Sequence, residues 1–281
     1  MNLLRATLLL AVPALHAAAE PAAWAPIFTM TAGWNSNVTN SDRSADVIGA
    51  LQCRAQIGAD AWRISPGHDD TLLIGVAGQV EIFPRFDGLD QWTAGPRLAW
   101  RHKFGLGAFV PVLSFELDAD GIAARDDGRS GYAGRARLVW RQRCDEATQL
   151  SLSYERTRED TKETVWARTG GEAAVNFTRE LDEHWRLVLA ARWREGDVIS
   201  YATPPRPDLV ALARVRSMEE TFGAPRVAYS ITGRTLGGAV NLVRQLDERS
   251  SLALGYEDRT TTHSPLRYVN HLVSTAFTRQ F

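Results

Sequence analysis

Arg97, Arg101 and Lys103 recur forty residues later as Arg137, Arg141 and Arg143, at even spacing inside stretches that alternate polar and apolar residues. Glu116, Glu155 and Glu257 close three related phrases: Leu113-Ser114-Phe115-Glu116, Leu150-Ser151-Leu152-Ser153-Tyr154-Glu155 and Leu252-Ala253-Leu254-Gly255-Tyr256-Glu257. In a fourth copy of that segment the corresponding step is Arg192. A period of two puts such residues on one face of a strand, and the shared step puts the glutamates at similar height. Guanidinium and carboxylate groups gathered on one face have two uses. They pair across strands and fill space, or they line a polar path where basic and acidic sectors orient and filter solutes. The candidate residues for both uses are Arg97, Arg101, Arg137, Arg141, Arg192, Glu116, Glu155 and Glu257.

Other clusters point to chemistry less well. His68-Asp69-Asp70 and Asp126-Asp127-Gly128 sit in turn-like segments, and Asp-Gly pairs are ordinary solvated turns. His263-Ser264 has no orienting partner that the sequence reveals. No zinc spacing, phosphate loop or nucleotide fingerprint occurs. The expectation is therefore a protein without cofactor or metal, and not an enzyme.

The elements that position these residues come from a repeat. Ala174-Val175-Asn176-Phe177-Thr178-Arg179-Glu180-Leu181-Asp182-Glu183 is echoed by Ala239-Val240-Asn241-Leu242-Val243-Arg244-Gln245-Leu246-Asp247-Glu248. Each reads as a strand entering a short acidic turn, followed by another alternating strand. Units of this size cannot bury an apolar face alone and must lie side by side in a sheet. Alternation predicts about twelve strands: 26–36, 46–64, 70–83, 91–103, 106–118, 131–143, 148–158, 167–180, 184–196, 224–245, 250–260 and 267–281.

The links between them fall into two classes. Ser65 to Asp69, Phe104-Gly105, Cys144 to Thr148, Leu181 to Glu183 and Leu246 to Arg249 are tight. Ser36 to Ala45, Ala119 to Ser130, Glu159 to Thr164, Asp197 to Phe222 and Asp258 to Leu266 are longer and polar, and Pro84 to Leu89 shares their rim. Short turns at one rim and long loops at the other describe an all-β, transmembrane, antiparallel up-and-down β-barrel with periplasmic turns and extracellular loops. A soluble sandwich of the same strands would leave edges to be managed. The barrel is favoured because charges alternate with apolar residues well inside the strands. It is also favoured because aromatics gather in two belts, Trp100, Trp140, Trp185 and Phe281 at one rim and Trp34, Trp92, Trp166 and Trp193 at the other. Closure lets every strand in a bilayer satisfy its backbone.

Composition sets the compartment. With 32 basic and 33 acidic side chains the chain is nearly neutral, which argues against nucleic acid. Mean hydropathy of −0.22 argues against a helical membrane protein. Arg5, the apolar run Ala6 to Leu15 and Ala17-Ala18-Ala19 read as a cleaved signal peptide over residues 1–19, leaving 20–281 as the barrel. The stretch from Glu20 to Pro26 is too short for a plug domain. Cys53 and Cys144 fall on non-neighbouring strands on the order of 30 Å apart by strand rise. A disulfide tolerates only ~7 Å between Cα atoms, so two free thiols are expected.

In the loop Asp197 to Phe222, Pro204-Pro205-Arg206-Pro207 stops any strand. Asp208 is placed to cap a helix from Leu209 to Glu220, with Leu209, Leu212, Val215 and Met218 on one face. Such a segment would fold over or into the barrel mouth.

The opening segment Gly33-Trp34-Asn35-Ser36-Asn37-Val38, with Asp46 beyond it, resembles the first strand and loop of a broad group of outer-membrane β-barrel porins. Trp34 and Asn35 stand where tyrosine and aspartate are commoner in that group. The group includes barrels encoded with exopolysaccharide genes and barrels that export surface lipoproteins. A last strand ending in Phe281, with Phe277, Val273 and Val269 on its face, resembles the C-terminal signal read by the outer-membrane assembly machinery, although Arg279 departs from it. The resemblance and the residues together imply an outer-membrane barrel whose partners are membrane lipid, the assembly machinery and small solutes. The expected function is passive passage of small polar or charged solutes. The alternatives are a barrel assisting export of a surface polysaccharide or lipoprotein, and a surface enzyme of protease or lipase type.

Overall fold

The computed structural model describes residues 20–21, 26–65, 67, 69–223, 225–264 and 266–281. The expected signal peptide and His68 lie outside the described residues. Twelve long strands account for most of the chain: β1 (Ile27–Asn35), β2 (Ala50–Ile64), β3 (Asp70–Ile82), β4 (Gln91–Lys103), β5 (Val112–Ala124), β6 (Gly131–Arg143), β7 (Thr148–Thr161), β8 (Arg168–Glu180), β9 (Trp185–Ala202), β10 (Arg226–Gln245), β11 (Ser250–His263) and β12 (Leu266–Gln280). Each pairs antiparallel with the next in sequence, and β12 returns to β1 from Leu272 opposite Asn35 to Gln280 opposite Ile27. The sheet is therefore a closed up-and-down barrel.

Its outer wall carries an apolar belt. Val76, Leu254 and Val273 are 53, 56 and 57 % exposed, and Leu98, Phe115, Leu152 and Val240 share that outward face. A water-soluble protein rarely exposes an apolar belt of this extent, whereas a bilayer covers it. At the turn rim Asp70 accepts hydrogen bonds from the outward Trp100 indole (3.0 Å) and joins His102 Nδ1 at 3.0 Å. One bulge interrupts β2 between Asp60 and Trp62 and swaps the parity of the strand end, so that Trp62 points outward with 52 % exposure.

The repeated acidic turns share one geometry. Cys144, Leu181 and Leu246 each donate a backbone N–H to the carbonyl that closes their turn, at 2.9, 2.8 and 2.9 Å. Asp145, Asp182 and Asp247 each accept from the backbone N–H two residues on, at 2.8, 2.7 and 2.7 Å. Those backbone donors hold all three carboxyls below the usual aspartate range.

Three expectations change. The ninth strand extends past residue 196 to Ala202 and takes in the start of the expected long loop. The fifth strand runs from Val112 to Ala124 rather than from 106 to 118. The preceding turn needs positive φ at Gly105 and Gly107, and it closes where the Phe104 N–H donates to the Pro111 carbonyl at 3.0 Å. The loop helix is also shorter than expected. Helix α1 covers Pro207–Leu212 only, and Arg206 rather than Asp208 is its N-cap. The chain then runs on as a short strand, Val215–Glu219, paired with β10 at Arg226–Ser230. That stretch of β10 lies beyond the end of its pairing with β11, and the short strand covers the edge left open there. Val215 and Met218 consequently stay exposed while Leu209 is fully buried.

Candidate functional site

The inner wall is where charge collects. Period-two geometry turns Arg97 and Arg101 of β4, Glu116 of β5, Arg137 and Arg141 of β6, Glu155 of β7, Arg192 of β9 and Glu257 of β11 inward, opposite to their outward apolar neighbours. Six of these eight are brought into ion pairs. Arg97 lies 3.3 Å from Glu116, Arg137 4.0 Å from Glu155, and Arg192 3.5 Å from Glu257. Arg101 and Arg141 form no ion pair with a described residue.

The pairs belong to longer ladders. Asp118 sits between Arg97 (3.9 Å) and Arg135 (3.7 Å), and Arg259 holds Glu257 at 2.7 Å. Glu81 of β3 receives Arg54 at 2.7 Å, Gln91 at 2.7 Å and the Gln52 amide. Arg168 meets Glu159 at 2.6 Å. Glu81, Arg54, Arg168 and Glu159 were not among the expected residues, although counting alternate positions along β2, β3, β7 and β8 would have reached them.

Beside these charges part of the wall is built of small groups. Thr31 and Gly33 on β1, Thr235, Gly237 and Ala239 on β10, Gly255 on β11 and Ser274 on β12 face inward. Short side chains among the long ones leave room. A cavity of about 870 Å³ lies inside the barrel, bounded by Arg54, Glu81, Arg192, Glu257, Gly237 and Ala239 among others. That size suits a small molecule.

The outer mouth carries its own core. Val38, Phe86, Val165, Trp166, Tyr201 and Phe222 come from four loops and the β9 extension and pack together. Phe222 is 5.1 Å from Phe86 and 4.9 Å from Tyr201, ring centre to ring centre. Trp166 is 4 % exposed, so it is no lipid-facing belt residue. It stacks on Tyr201 and receives the Arg129 guanidinium 3.8 Å above its ring. Arg129 also reaches Glu219 at 2.6 Å and the Tyr201 hydroxyl at 3.2 Å. The long loop thus does fold over the mouth. Arg206, with its side chain fully buried, clamps that loop by bonding Asp42 (2.9 Å) and Asp208 (2.7 Å). The Arg206 hydrogen bonds hold the Asp208 carboxyl down at about 2.

The opening motif has a structural task here. Asn37, Thr39, Ser41 and Asp46 are all buried. Asn37 bonds the Ser41 carbonyl (2.9 Å), Thr39 the Asp46 carbonyl (2.8 Å), and Asp46 accepts from Thr203 Oγ1 (2.6 Å). Asn270 of β12 donates to the Asn37 carbonyl at 2.6 Å. These bonds pin the first loop onto the barrel mouth and the long loop onto the first.

The candidates for chemistry come apart. Asp126 caps its own turn through Gly128 N–H (3.1 Å) and Arg129 (3.2 Å), and Asp127 pairs with Lys162 at 2.5 Å. His263 ends β11 opposite Leu266. Among the described residues no three His, Cys, Asp or Glu side chains are grouped to hold a metal ion.

No family model and no curated relative matches the chain. Among solved structures it is similar to the COG4313 outer membrane channel from Pseudomonas putida F1, with TM-score 0.57 and 9% identity over 92% of this chain and 96% of that one. It is also similar to the transport unit of the autotransporter AIDA-I from Escherichia coli, with TM-score 0.51 and 11% identity over 90% and 89%. Identities this low speak to fold alone. With its closed sheet, apolar girdle and charged interior, the chain has the fold of an outer-membrane β-barrel.

Proposed function

We propose that this barrel is a channel for passive passage of small polar or charged solutes across the outer membrane. The observation that carries the reading is the cavity of about 870 Å³ inside a closed barrel, bounded by ion-paired arginines and glutamates and, between them, by small residues. Paired groups hold fixed dipoles along the wall and replace part of a solute's hydration. The similar fold of an outer membrane channel supports the reading. Residues 1–19 act in it as a removed export signal, residues 20–281 as one barrel, and Phe281 as the handle for the assembly machinery. The fold shared with an autotransporter's transport unit favours a second reading, a barrel that assists export of a surface polymer or lipoprotein.

Purified protein, shown to be folded by its heat-modifiable gel mobility, is reconstituted in planar bilayers. The channel reading expects stepwise conductance. Silence from folded protein rejects it in favour of the export reading.

A further inference from the structure

The inner charges are not balanced along the barrel. In the middle, each of Arg97, Arg137, Arg192 and Arg259 has a carboxylate partner. At the turn rim the pattern stops. Arg101 and Lys103 point inward from the end of β4, and Arg141 and Arg143 from the end of β6. The strand between them offers only Ser114, opposite Arg101, and Val112, opposite both Lys103 and Arg141. Arg101, Lys103 and Arg141 form no ion pair with a described residue, and Arg143 spends a donor on the Glu146 carbonyl at 2.6 Å. Further round the same rim Arg186 faces a small cavity with Arg143, and Glu180 is the carboxylate that shares it.

A wall whose charges cancel sets no sign preference, so preference arises where they fail to cancel. Uncompensated like charges in a cleft with low-dielectric walls concentrate counter-ions. Deepening the channel reading, on which this rests, we propose that the passage prefers small anions carrying carboxylate or phosphate groups, and that Arg101, Lys103 and Arg141 at the periplasmic end set the preference. Guanidinium groups suit these solutes because their planar fork matches a carboxylate or phosphate.

The test is the reversal potential of the reconstituted channel in a KCl gradient at low salt. The wild type is expected to pass chloride over potassium, and the triple variant R101Q/K103Q/R141Q to lower that ratio by roughly threefold or more. Raising the salt moves the wild-type ratio towards unity as the rim charges are screened. Inorganic phosphate should reduce the wild-type chloride current and leave that of the variant unchanged. If the triple variant gives no folded band, Arg141→Gln alone, at the exposed strand end, carries the same expectation. A wild type that favours potassium, or a folded variant with an unchanged ratio, overturns the proposal while conductance itself sustains the channel. Silence from the folded wild type overturns both.

Discussion

The Arg192 guanidinium on β9 meets the Glu257 carboxylate on β11 at 3.5 Å, across the strand that lies between them. Two strand spacings amount to about 9–10 Å, which long side chains span only if nothing stands in between. Gly237 of β10, opposite both Arg192 and Arg259, supplies that gap. A Cβ there would sit 3.5 Å from Arg259 Cγ and 3.8 Å from Glu257 Oε1.

Filling the gap should close the path. Gly237→Val is expected to lower single-channel conductance and separate Arg192 from Glu257. Gly238→Val, on the outward face, is expected to leave conductance unchanged. Glu257→Gln should cost on the order of 1 kcal/mol in a urea titration, a small value because the Arg192 end of the pair is water-exposed. Equal conductance in the two glycine variants would remove the small-residue sector from the account.

Much of this architecture was legible because alternation is a local property. The inward set from Arg97 to Glu257, the outward leucines and the acidic turns at Asp182 and Asp247 follow from period two. Partner choice was less legible. Glu81 meets Arg54 and Gln91 through register with two neighbouring strands, and no local pattern reports register. Trp166 was misplaced because a tryptophan near a strand end looks alike whether lipid or a loop core receives it. The Leu209 helix was overextended because the periodicity of Leu212, Val215 and Met218 ignores the free edge of β10 that captured the segment. Gly105 and Gly107 displaced the start of β5 for a comparable reason, since positive φ leaves no trace in hydropathy.

The mouth core predicts a gate that can be removed without losing the barrel. Trp166→Ala should loosen the loop cluster by about 3 kcal/mol, the usual cost of deleting a buried tryptophan. Conductance should rise and flicker, while the heat-modifiable band of the folded barrel persists. A folded variant with wild-type conductance and unchanged protease resistance of residues 203–219 would argue that these loops do not restrict the path.

Acid should release the same loop. The hydrogen bonds from Arg206 place the Asp208 pKa at about 2 against 3.8 for the free group. A depressed carboxyl contributes its full stabilisation above pH ~3.8 and loses it as pH falls through ~2. Channel noise, or cleavage by an acid-active protease within 203–219, is therefore expected to increase between those limits, and Asp208→Asn should abolish that step. A flat response in the wild type across this window would contradict the clamp.

Topology can be read from the native thiols. Cys144 is exposed in a tight turn, and Cys53 is partly covered on the outward face of β2. In intact cells a membrane-impermeant maleimide should label neither, and after outer-membrane permeabilisation it should label Cys144. Labelling of Cys144 in intact cells would invert the assignment of turns to the periplasm.

The path itself is tested most directly by adjacent cysteines on β10, introduced into a background with Cys53 and Cys144 replaced by serine. Ala239 is 8 % exposed and borders the cavity, whereas Val240 is 48 % exposed on the outer wall. A charged thiol reagent added during bilayer recording should cut the current through Ala239→Cys channels and leave Val240→Cys channels unaffected. Block at position 240 with none at 239 would place the conducting route outside the barrel interior and contradict the account.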